Sequence, residues 1–194
     1  MRRLGLDDLD LAAILLGDGL VVAIPTDTVY GLAARLDHPG ALAELYVAKG
    51  RPETKPLPIL VADPDEALGL LAEVPDELAA LAARHWPGAL TIVAGCDEEL
   101  ATRVHSPDQT VGIRCPDDAT ARALLKITGP LCVTSANRSG EPPCCSADEI
   151  IASLSCAEAI AAVLDAGRRD AEPSTVVTFR DGELTVLRRG AIVL

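Results

Sequence analysis

The apolar run LVVAI at residues 20–24 constrains the fold of this chain more than any other feature. Consecutive apolar residues, with no polar residue between them, are typical of a β-strand that is buried on both faces. Pro25 ends the run, and a polar loop, TDTVYG at residues 26–31, follows it. The sequence therefore predicts a buried strand with a polar loop at its end, which is where α/β proteins tend to bind ligands.

Similar patterns extend this prediction along the chain. Further strands are predicted at residues 57–61, 89–94, 110–114, 131–134, 159–164, 175–179, 184–188 and 191–194, with Asp181-Gly182 as a hairpin turn. Helices are predicted at residues 7–16, 39–48, 63–71, 75–85, 117–127 and from 146 onward. Because helices and strands alternate early and hairpin-like strands come last, we expect one α/β domain over residues 1–194. Its twisted mixed sheet should be flanked by helices.

Local signals add detail at the ends of these elements. Polar residues that precede helices are predicted to cap them, namely Asp37, Asp117, and Ser146 in a capping box with Glu149. Proline cannot donate to a sheet, so Pro56 and Pro58 predict that the 57–61 strand lies at an edge or contains a bulge.

Charge and hydropathy limit the classes of partner. The 194 residues carry a formal net charge of −12, which argues against strong binding to nucleic acid, including direct binding to tRNA. The N-terminal segment MRRLGLDDLDL has no apolar run behind its arginines, so it does not fit a signal peptide. The apolar run at 20–24 is far shorter than the ~20 residues that span a bilayer. We expect a cytoplasmic protein with no membrane partner.

The cysteines do not predict a metal site. They lie at positions 96, 115, 132, 144, 145 and 156, and their spacing contains no Cys-x-x-Cys pair. In a cytoplasmic protein we expect them to be reduced. Cys132 is interpreted as a small apolar strand residue. The adjacent pair Cys144-Cys145 is interpreted as part of a loop, with redox activity as the alternative.

Lysine usage singles out the stretch AKGRPETKPLPIL at residues 48–60. The chain has three lysines against fourteen arginines, and Lys49 and Lys55 both lie in this stretch beside Arg51. A chain that avoids lysine and places two here uses them as compact point charges, which a planar guanidinium does not replace. The alternative is chance clustering on a solvated loop.

Other polar residues after strands suit an anion with several oxygens, such as a nucleotide phosphate. The cationic candidates are Lys49, Arg51, Lys55, Arg114 and Arg188, and the hydroxyl or amide candidates are Thr28, Thr110, Ser135, Asn137 and Ser174. The chain contains no Gly-x-x-x-x-Gly-Lys-Ser/Thr loop, no Gly-x-Gly-x-x-Gly loop and no Gly-x-Ser-x-Gly elbow. Because these motifs are absent, an activity of this chain would not depend on the common phosphate-binding loops or on a nucleophile elbow.

Taken together, these segments resemble the YrdC family, the threonylcarbamoyl-AMP synthases. The matching pieces are IPTDTVYGL at 24–32, AKGRP with KPLPILV at 48–61, HWPGALTIV at 85–93, TVGIRCP at 110–116, VTSANRSGEPP at 133–143, PSTVV at 173–177 and LRRGAI at 187–192. They span nearly the whole chain in the order of the family. The length matches the single-domain form of the family.

The resemblance implies a YrdC-like sheet around a concave, positively charged cavity. It implies a reaction in which L-threonine, bicarbonate and ATP give threonylcarbamoyl-AMP and pyrophosphate, with Mg²⁺ accompanying ATP. Downstream proteins would use the product to make threonylcarbamoyladenosine in tRNA. By position, ATP would be bound by Arg51, Lys55, Thr110, Ser135, Asn137, Pro143 and Arg188. Threonine would be bound by Thr28, Leu60, Arg114, Val133 and Ser174. Lys49 and Arg51 would be the catalytic residues.

The chain departs from the family pattern at a few positions. Asp27 stands where Glu is frequent, Ala89 and Arg189 stand where Pro is frequent, and Pro143 replaces a small or hydroxyl residue. Proline has no N–H, so a contact from Pro143 would come from its carbonyl. Two other classes stay open, an RNA-binding YrdC-like module and a carbamoyl-transferring relative. The second carries acylphosphatase-like and zinc-finger segments, for which this chain has neither the length nor the cysteine spacing.

Overall fold

A computed structural model describes residues 1–154, 157–180 and 182–194 of the chain. The strands in this part are β1 Arg2–Leu4, β2 Val21–Ile24, β3 Gly31–Arg35, β4 Ile59–Leu60, β5 Leu90–Gly95, β6 Thr110–Arg114, β7 Leu131–Ser135, β8 Ile160–Leu164, β9 Thr175–Arg180 and β10 Glu183–Arg188. The α-helices are α1 Leu9–Gly17, α2 Pro39–Lys49, α3 Pro64–Gly69, α4 Asp76–His85, α5 Glu98–Arg103, α6 Ala119–Thr128 and α7 Ala147–Leu154.

The strands form one mixed sheet in the order β1-β8-β2-β3-β7-β4-β6-β5-β9-β10. The pairs β1/β8, β2/β8, β4/β6 and β5/β9 are parallel. The remaining neighbours, such as β2/β3 and β3/β7, are antiparallel. The prediction of an α/β fold with a mixed sheet flanked by helices is therefore confirmed.

Strand β2 is buried along its whole length, as its apolar run predicts. Successive side chains of a strand point to opposite faces of the sheet. Val22 and Ile24 join a cluster with residues of α1 and α6, whereas Val21 and Ala23 join a larger cluster with residues of α2, α4 and α7. Helices thus cover both faces of the sheet around β2.

Several elements differ from the sequence prediction. β1, β3 and α5 were not predicted, and residues 191–194 do not form a strand. The predicted strand at 57–61 is reduced to Ile59–Leu60, and it pairs with β6 on one side and β7 on the other, so it is not an edge strand. Cys132 is fully buried in β7, which confirms its interpretation as a small apolar strand residue.

Two of the predicted caps were wrong. Asp37 makes no capping hydrogen bond, and its carboxylate pairs with Arg35 instead. Helix α6 is capped by Asp118, whose Oδ1 accepts from Ala121 N at 2.9 Å, and not by its neighbour Asp117.

The other end signals have mixed outcomes. Ser146 Oγ accepts from Glu149 N at 3.3 Å, as in a capping box. However, the Glu149 carboxylate binds Cys145 N and not Ser146 N. Asp181 of the predicted Asp181-Gly182 turn lies outside the described residues, although β9 and β10 pair antiparallel on either side of it. Over the described residues, no helix has the length and hydropathy needed to cross a membrane.

Gly31 provides a test of packing in the centre of the sheet. A Cβ at this position would lie 2.4 Å from Val133 Cγ1 on the neighbouring strand β7. Val is stiff at χ1, so it cannot easily move away. We expect Gly31→Ala to lower the free energy of unfolding by ~1–3 kcal/mol in urea titrations.

Gly95→Ala is the matched control, because a Cβ there would meet no atom within 4 Å at the end of β5. We expect a much smaller change for this variant. Equal losses for the two variants would contradict the packing explanation.

Candidate active site

A cavity of about 560 Å³ lies where the polar loops after β2 and β7 meet strands β5, β6 and β9. It contains most of the residues that the sequence predicted for ligand binding. The predicted residues that line it are Thr28, Arg51, Leu60, Thr110, Arg114, Val133, Ser135, Pro143, Ser174 and Arg188. The structure does not bring Lys49, Lys55 or Asn137 to the cavity wall.

Positive charge is concentrated in this cavity, although the chain as a whole is acidic. Its lining includes Arg51, Arg114, Arg180 and Arg188, with Asp108 as the carboxylate. Burial lowers the pKa of Arg51 and of Arg188, and the nearby charge of Arg114 lowers the pKa of Arg188 further. Cations that lose solvation in this way gain from an anionic ligand that enters beside them.

Arg114 is almost fully buried, and protein oxygens hold its guanidinium on three sides. Nη2 donates to Asp27 Oδ1 at 2.5 Å, Nη1 to Thr28 Oγ1 at 3.1 Å and Nε to Gly88 O at 3.0 Å. Asp27 itself is not among the cavity-lining residues, so it holds Arg114 from behind. A guanidinium has five N–H donors, and two of them remain for a ligand such as a carboxylate.

Ser174 and Arg188 form a second anchored pair. Arg188 Nη2 donates to Ser174 Oγ at 2.9 Å, Nε donates to Ser174 O at 3.1 Å, and Thr91 Oγ1 lies 2.8 Å from Ser174 Oγ. The register of β10 against β9 shifts between Val186 and Arg188. A bulge of this kind re-aims side chains, and here both Leu187 and Arg188 line the cavity.

The segment that leads into Ser174 is fixed by a buried tyrosine. The Tyr30 hydroxyl donates to Gly167 O at 2.8 Å and accepts from Ala166 N at 3.0 Å. The Ala171 N–H donates to Thr28 O at 3.1 Å. These bonds attach the connection between β8 and β9 to the loop after β2, so the two ligand-facing segments are positioned together.

Lys49 acts on the loop after β7. It is the last residue of α2, and Gly50 ends the helix in the left-handed conformation with φ 60°. Its Nζ donates to Ser135 O at 2.5 Å, Ser135 Oγ at 3.1 Å and Asn137 Oδ1 at 2.7 Å. Burial, and then the charge of Arg51, lower the pKa of Lys49 to about 8. The ammonium therefore holds the Ser135–Asn137 loop and adds positive charge behind the cavity wall.

Arg51 and Lys55 belong to one loop but have different surroundings. Arg51 lines the cavity and donates to the carbonyls of Lys55 at 3.3 Å and Pro56 at 2.9 Å. Tyr46 OH lies within hydrogen-bond distance of two carbonyl oxygens, Lys55 O at 3.3 Å and Val104 O at 3.4 Å. The Lys55 side chain is exposed. Lys55 thus supports Arg51 through its backbone, and its predicted contact with ATP stays a prediction.

Some lining residues were not predicted from the sequence. They are chiefly Thr26, Thr91, Asp108 and Arg180. Thr26 and Thr91 lie inside matching segments, and each is a hydroxyl residue next to an apolar run, which was a usable signal. Asp108 and Arg180 lie outside those segments, so the sequence offered no signal for them.

A second concavity, of about 820 Å³, has Lys49 in its wall. It is lined by residues such as Leu20, Glu44, Val47 and Arg138. Among the thirteen residues predicted for the site, this concavity contains Lys49 alone. The smaller cavity is the candidate active site, because it collects ten of the thirteen predicted residues.

Comparisons with known proteins place this chain and its fold in one family. The family model Sua5_yciO_yrdC, described as telomere recombination, matches residues 15–190. A threonylcarbamoyl-AMP synthase of Bacillus subtilis is 39% identical over an alignment of 184 residues, and the match covers 93% of this chain and 53% of the relative. A putative threonylcarbamoyl-AMP synthase of Mycobacterium tuberculosis is 36% identical over 90% of this chain and 80% of the relative.

Solved structures agree with this assignment. Pyrococcus abyssi Sua5 complexed with L-threonine is 32% identical, with a TM-score of 0.88 over 97% of this chain and 57% of that one. Escherichia coli YciO, at 22% identity, has a TM-score of 0.87 over 97% of this chain and 94% of that one, and it supports the fold alone. This chain spans about half the length of the Bacillus and Pyrococcus relatives. With a family model that covers most of its length, the chain belongs to the Sua5/YciO/YrdC family.

Proposed function

We propose that this chain is an L-threonylcarbamoyladenylate synthase, which converts L-threonine, bicarbonate and ATP to threonylcarbamoyl-AMP and pyrophosphate. The observation that carries the proposal is one cavity lined by all five residues predicted for threonine and by five of the seven predicted for ATP. Thr28, Arg114 and Ser174 suit an amino acid, whereas Arg51 and Arg188 suit a triphosphate. The names of the relatives, and the L-threonine complex of the Pyrococcus protein, support the same activity.

The threonine part of the proposal depends on Arg114. Its two remaining N–H donors would form a fork with the substrate carboxylate. Leu60 and Val133 are buried apolar residues of the cavity wall, and they would provide a niche for the threonine methyl group. A niche of this kind discriminates threonine from serine by only ~1–3 kcal/mol.

The ATP part of the proposal needs no protein nucleophile. The threonine amine would lose a proton and form a C–N bond with CO2 derived from bicarbonate. A carbamate oxygen would then attack the α-phosphorus of ATP, and the bond between the α-phosphorus and its bridging oxygen would break to release pyrophosphate. Catalysis would consist of positioning and charge stabilisation.

Several residues would offset the charge that moves onto the leaving pyrophosphate. Arg51 and Arg188 would do so directly, with Thr110, Ser135 and the Pro143 carbonyl around the nucleotide. Lys49 would act through Ser135 and Asn137, whose positions it fixes.

Mg²⁺ would enter with the triphosphate. Within the described residues, no group of three or more His, Cys, Asp or Glu side chains forms a metal cluster. Mg²⁺ is commonly bound through substrate phosphates and water with few protein ligands. The residues present therefore fit a metal that enters with ATP.

The proposed setting of the enzyme is the cytoplasm. Its product would be consumed by proteins that transfer the threonylcarbamoyl group to an adenosine of tRNA. The net charge of −12 opposes tight tRNA binding by this chain itself.

A direct test incubates the protein with L-threonine, bicarbonate, Mg²⁺ and ATP. We expect pyrophosphate and threonylcarbamoyl-AMP, with formation dependent on both threonine and bicarbonate. The opposite outcome would be tight, salt-sensitive binding of duplex RNA without ATP turnover, which would favour an RNA-binding module.

Removing the charge of Arg51 or of Lys49 tests the roles proposed for these residues in stabilising the triphosphate. We expect Arg51→Ala to reduce pyrophosphate release by roughly 10²–10³-fold, the usual cost of losing one preorganised charge-stabilising donor. Lys49→Ala should reduce it similarly, because the Ser135–Asn137 loop loses its ammonium. Circular dichroism would verify that both variants are folded.

Arg84→Ala provides the control, since Arg84 is exposed on α4 and is not part of the cavity lining. This variant should retain normal turnover. Near-wild-type turnover in Arg51→Ala would refute the assignment of the triphosphate site.

The pKa of Lys49 predicts a pH dependence for ATP binding. Burial lowers this pKa to about 8 in the free protein, so Nζ is charged below pH 8 and becomes neutral above it. We expect the affinity for ATP to fall as pH rises through 8, by roughly tenfold at most per pH unit for a single group. Calorimetry with ATP alone separates this effect from ionisation of the threonine amine.

Two lysine variants make the pH test specific. Lys49→Arg fits the loop less well and should lower the affinity for ATP at every pH, but it keeps its charge, so the decline through pH 8 should disappear. Lys126→Met, at an exposed position of α6, should keep the wild-type decline. A decline that is identical in Lys49→Arg would exclude Lys49 as its source.

A further inference from the structure

The loop after β2 contains a hydroxyl group whose hydrogen bonds are fully committed. Thr26 Oγ1 donates to Val29 O at 2.6 Å and accepts from Thr28 N at 3.2 Å. It also lies 3.0 Å from Thr28 Oγ1. A hydroxyl has a single hydrogen, and Thr26 gives its hydrogen to Val29. The hydrogen between the two hydroxyl groups must therefore belong to Thr28.

Thr28 is constrained from a second direction by Arg114. Nη1 of Arg114 can only donate, and it lies 3.1 Å from Thr28 Oγ1. Thr28 therefore donates to Thr26 and accepts from Arg114, which leaves one lone pair on its oxygen. Because Thr28 lines the cavity, a ligand group that meets this oxygen has to be a hydrogen-bond donor.

We propose that Thr26 is a positioning residue that fixes the polarity of Thr28, so that Thr28 accepts the hydrogen of the L-threonine hydroxyl. This inference rests on the proposed function. The substrate carboxylate has no hydrogen to donate, and it matches the free N–H donors of Arg114 instead. The amine also carries N–H donors, but its nitrogen has to turn to the carbon that it attacks and becomes part of the carbamate. We therefore assign the Thr28 oxygen to the hydroxyl, which distinguishes L-threonine from L-2-aminobutyrate.

The hydroxyl groups of Ser174 and Thr91 together have one hydrogen that no protein oxygen of the described residues accepts. Ser174 Oγ accepts from Arg188 Nη2 at 2.9 Å and pairs with Thr91 Oγ1 at 2.8 Å. In the part of the chain that the structure describes, neither hydroxyl donates to a further protein oxygen. The two hydroxyl groups have two hydrogens, and only one of them is used in the hydrogen bond between Ser174 and Thr91. The other hydrogen can be donated to a ligand. The cavity therefore offers an acceptor at Thr28 and one donor from the pair of Ser174 and Thr91, both of which line it.

Thr26→Val tests the polarity, because valine has nearly the shape of threonine but neither donates nor accepts. Without Thr26 Oγ1, the Thr28 hydrogen is released and can turn into the cavity. We expect the ratio of kcat/KM for L-threonine over L-2-aminobutyrate to fall by about fivefold or more, which is the size of one ordinary hydrogen bond. The change should lie mainly in KM for L-threonine. Thr26→Ser restores the hydroxyl and should keep the ratio.

Thr102→Val is the matched control. Thr102 is exposed on α5, where its hydroxyl donates to Glu98 O at 2.8 Å, and it is not part of the cavity lining. This variant should keep the wild-type ratio. A folded Thr26→Val protein that also keeps the ratio would overturn the inference. Absence of pyrophosphate release by the wild-type protein with L-threonine would instead overturn the proposed function, and the inference with it.

A measurement on the wild-type protein keeps the inference testable if Thr26→Val does not fold. The ligand is 2-amino-3-fluorobutyrate, in which fluorine replaces the hydroxyl group, can accept a hydrogen bond and cannot donate one. Calorimetry should give this ligand an affinity close to that of L-2-aminobutyrate. An affinity equal to that of L-threonine would show that Thr28 presents a hydrogen, and would contradict the inference.

Discussion

The arrangement of the cavity depends on the hydrogen bonds that surround the buried guanidinium of Arg114. A buried charge is costly unless hydrogen-bonding groups surround it. Asp27 and Gly88 supply two of those groups from the loop after β2 and from the turn after α4. Strands β2 and β6 are separated in the sheet by β3, β7 and β4. One side chain thus links segments that lie four strand positions apart, and it still has two N–H donors for a ligand.

Lys49 is likewise a buried charge surrounded by hydrogen-bonding oxygens, but none of its N–H donors remains for a ligand. Its three hydrogens meet three oxygens of the Ser135–Asn137 loop, at 2.5 to 3.1 Å. A compact ammonium can make these converging contacts, whereas a planar guanidinium would direct its donors into a fork. This geometry explains why a chain with fourteen arginines has a lysine here. The loop after β7 is held by a charge that has no hydrogen left over, so its effect on a ligand is indirect.

The sequence was most informative where a pattern had a single physical cause. The apolar run of β2 predicted burial on both faces, and two separate core clusters contain its alternate residues. Strand β3 was not predicted because GLAAR at 31–35 has no β-branched residue and follows a polar loop directly. Spacing could not decide between Asp117 and Asp118 as the cap of α6, since both precede the helix.

For the site, family motifs supplied identities but not hydrogen positions. They predicted ten of the cavity-lining residues, yet they also included Lys55, whose side chain is exposed. Thr26 illustrates the limit more sharply. Its role depends on where one hydrogen goes, and that follows from the distances to Val29, Thr28 and Arg114, which no residue pattern contains. The direction of the hydrogen bond between Thr26 and Thr28 depends on the other hydrogen bonds of both hydroxyl groups, so it can be deduced only from the structure.

The acidic net charge and the arginine-lined cavity affect two different kinds of ligand. An RNA duplex would contact a broad surface, where a charge of −12 repels it. A nucleotide inside the cavity would lie within one Debye length, about 8 Å in physiological salt, of the arginines, while more distant surface carboxylates are screened. Local charge therefore governs the small anion, and net charge governs the large one. Under the proposed function, an acidic chain with a basic cavity would bind ATP and repel the RNA for which its product is made.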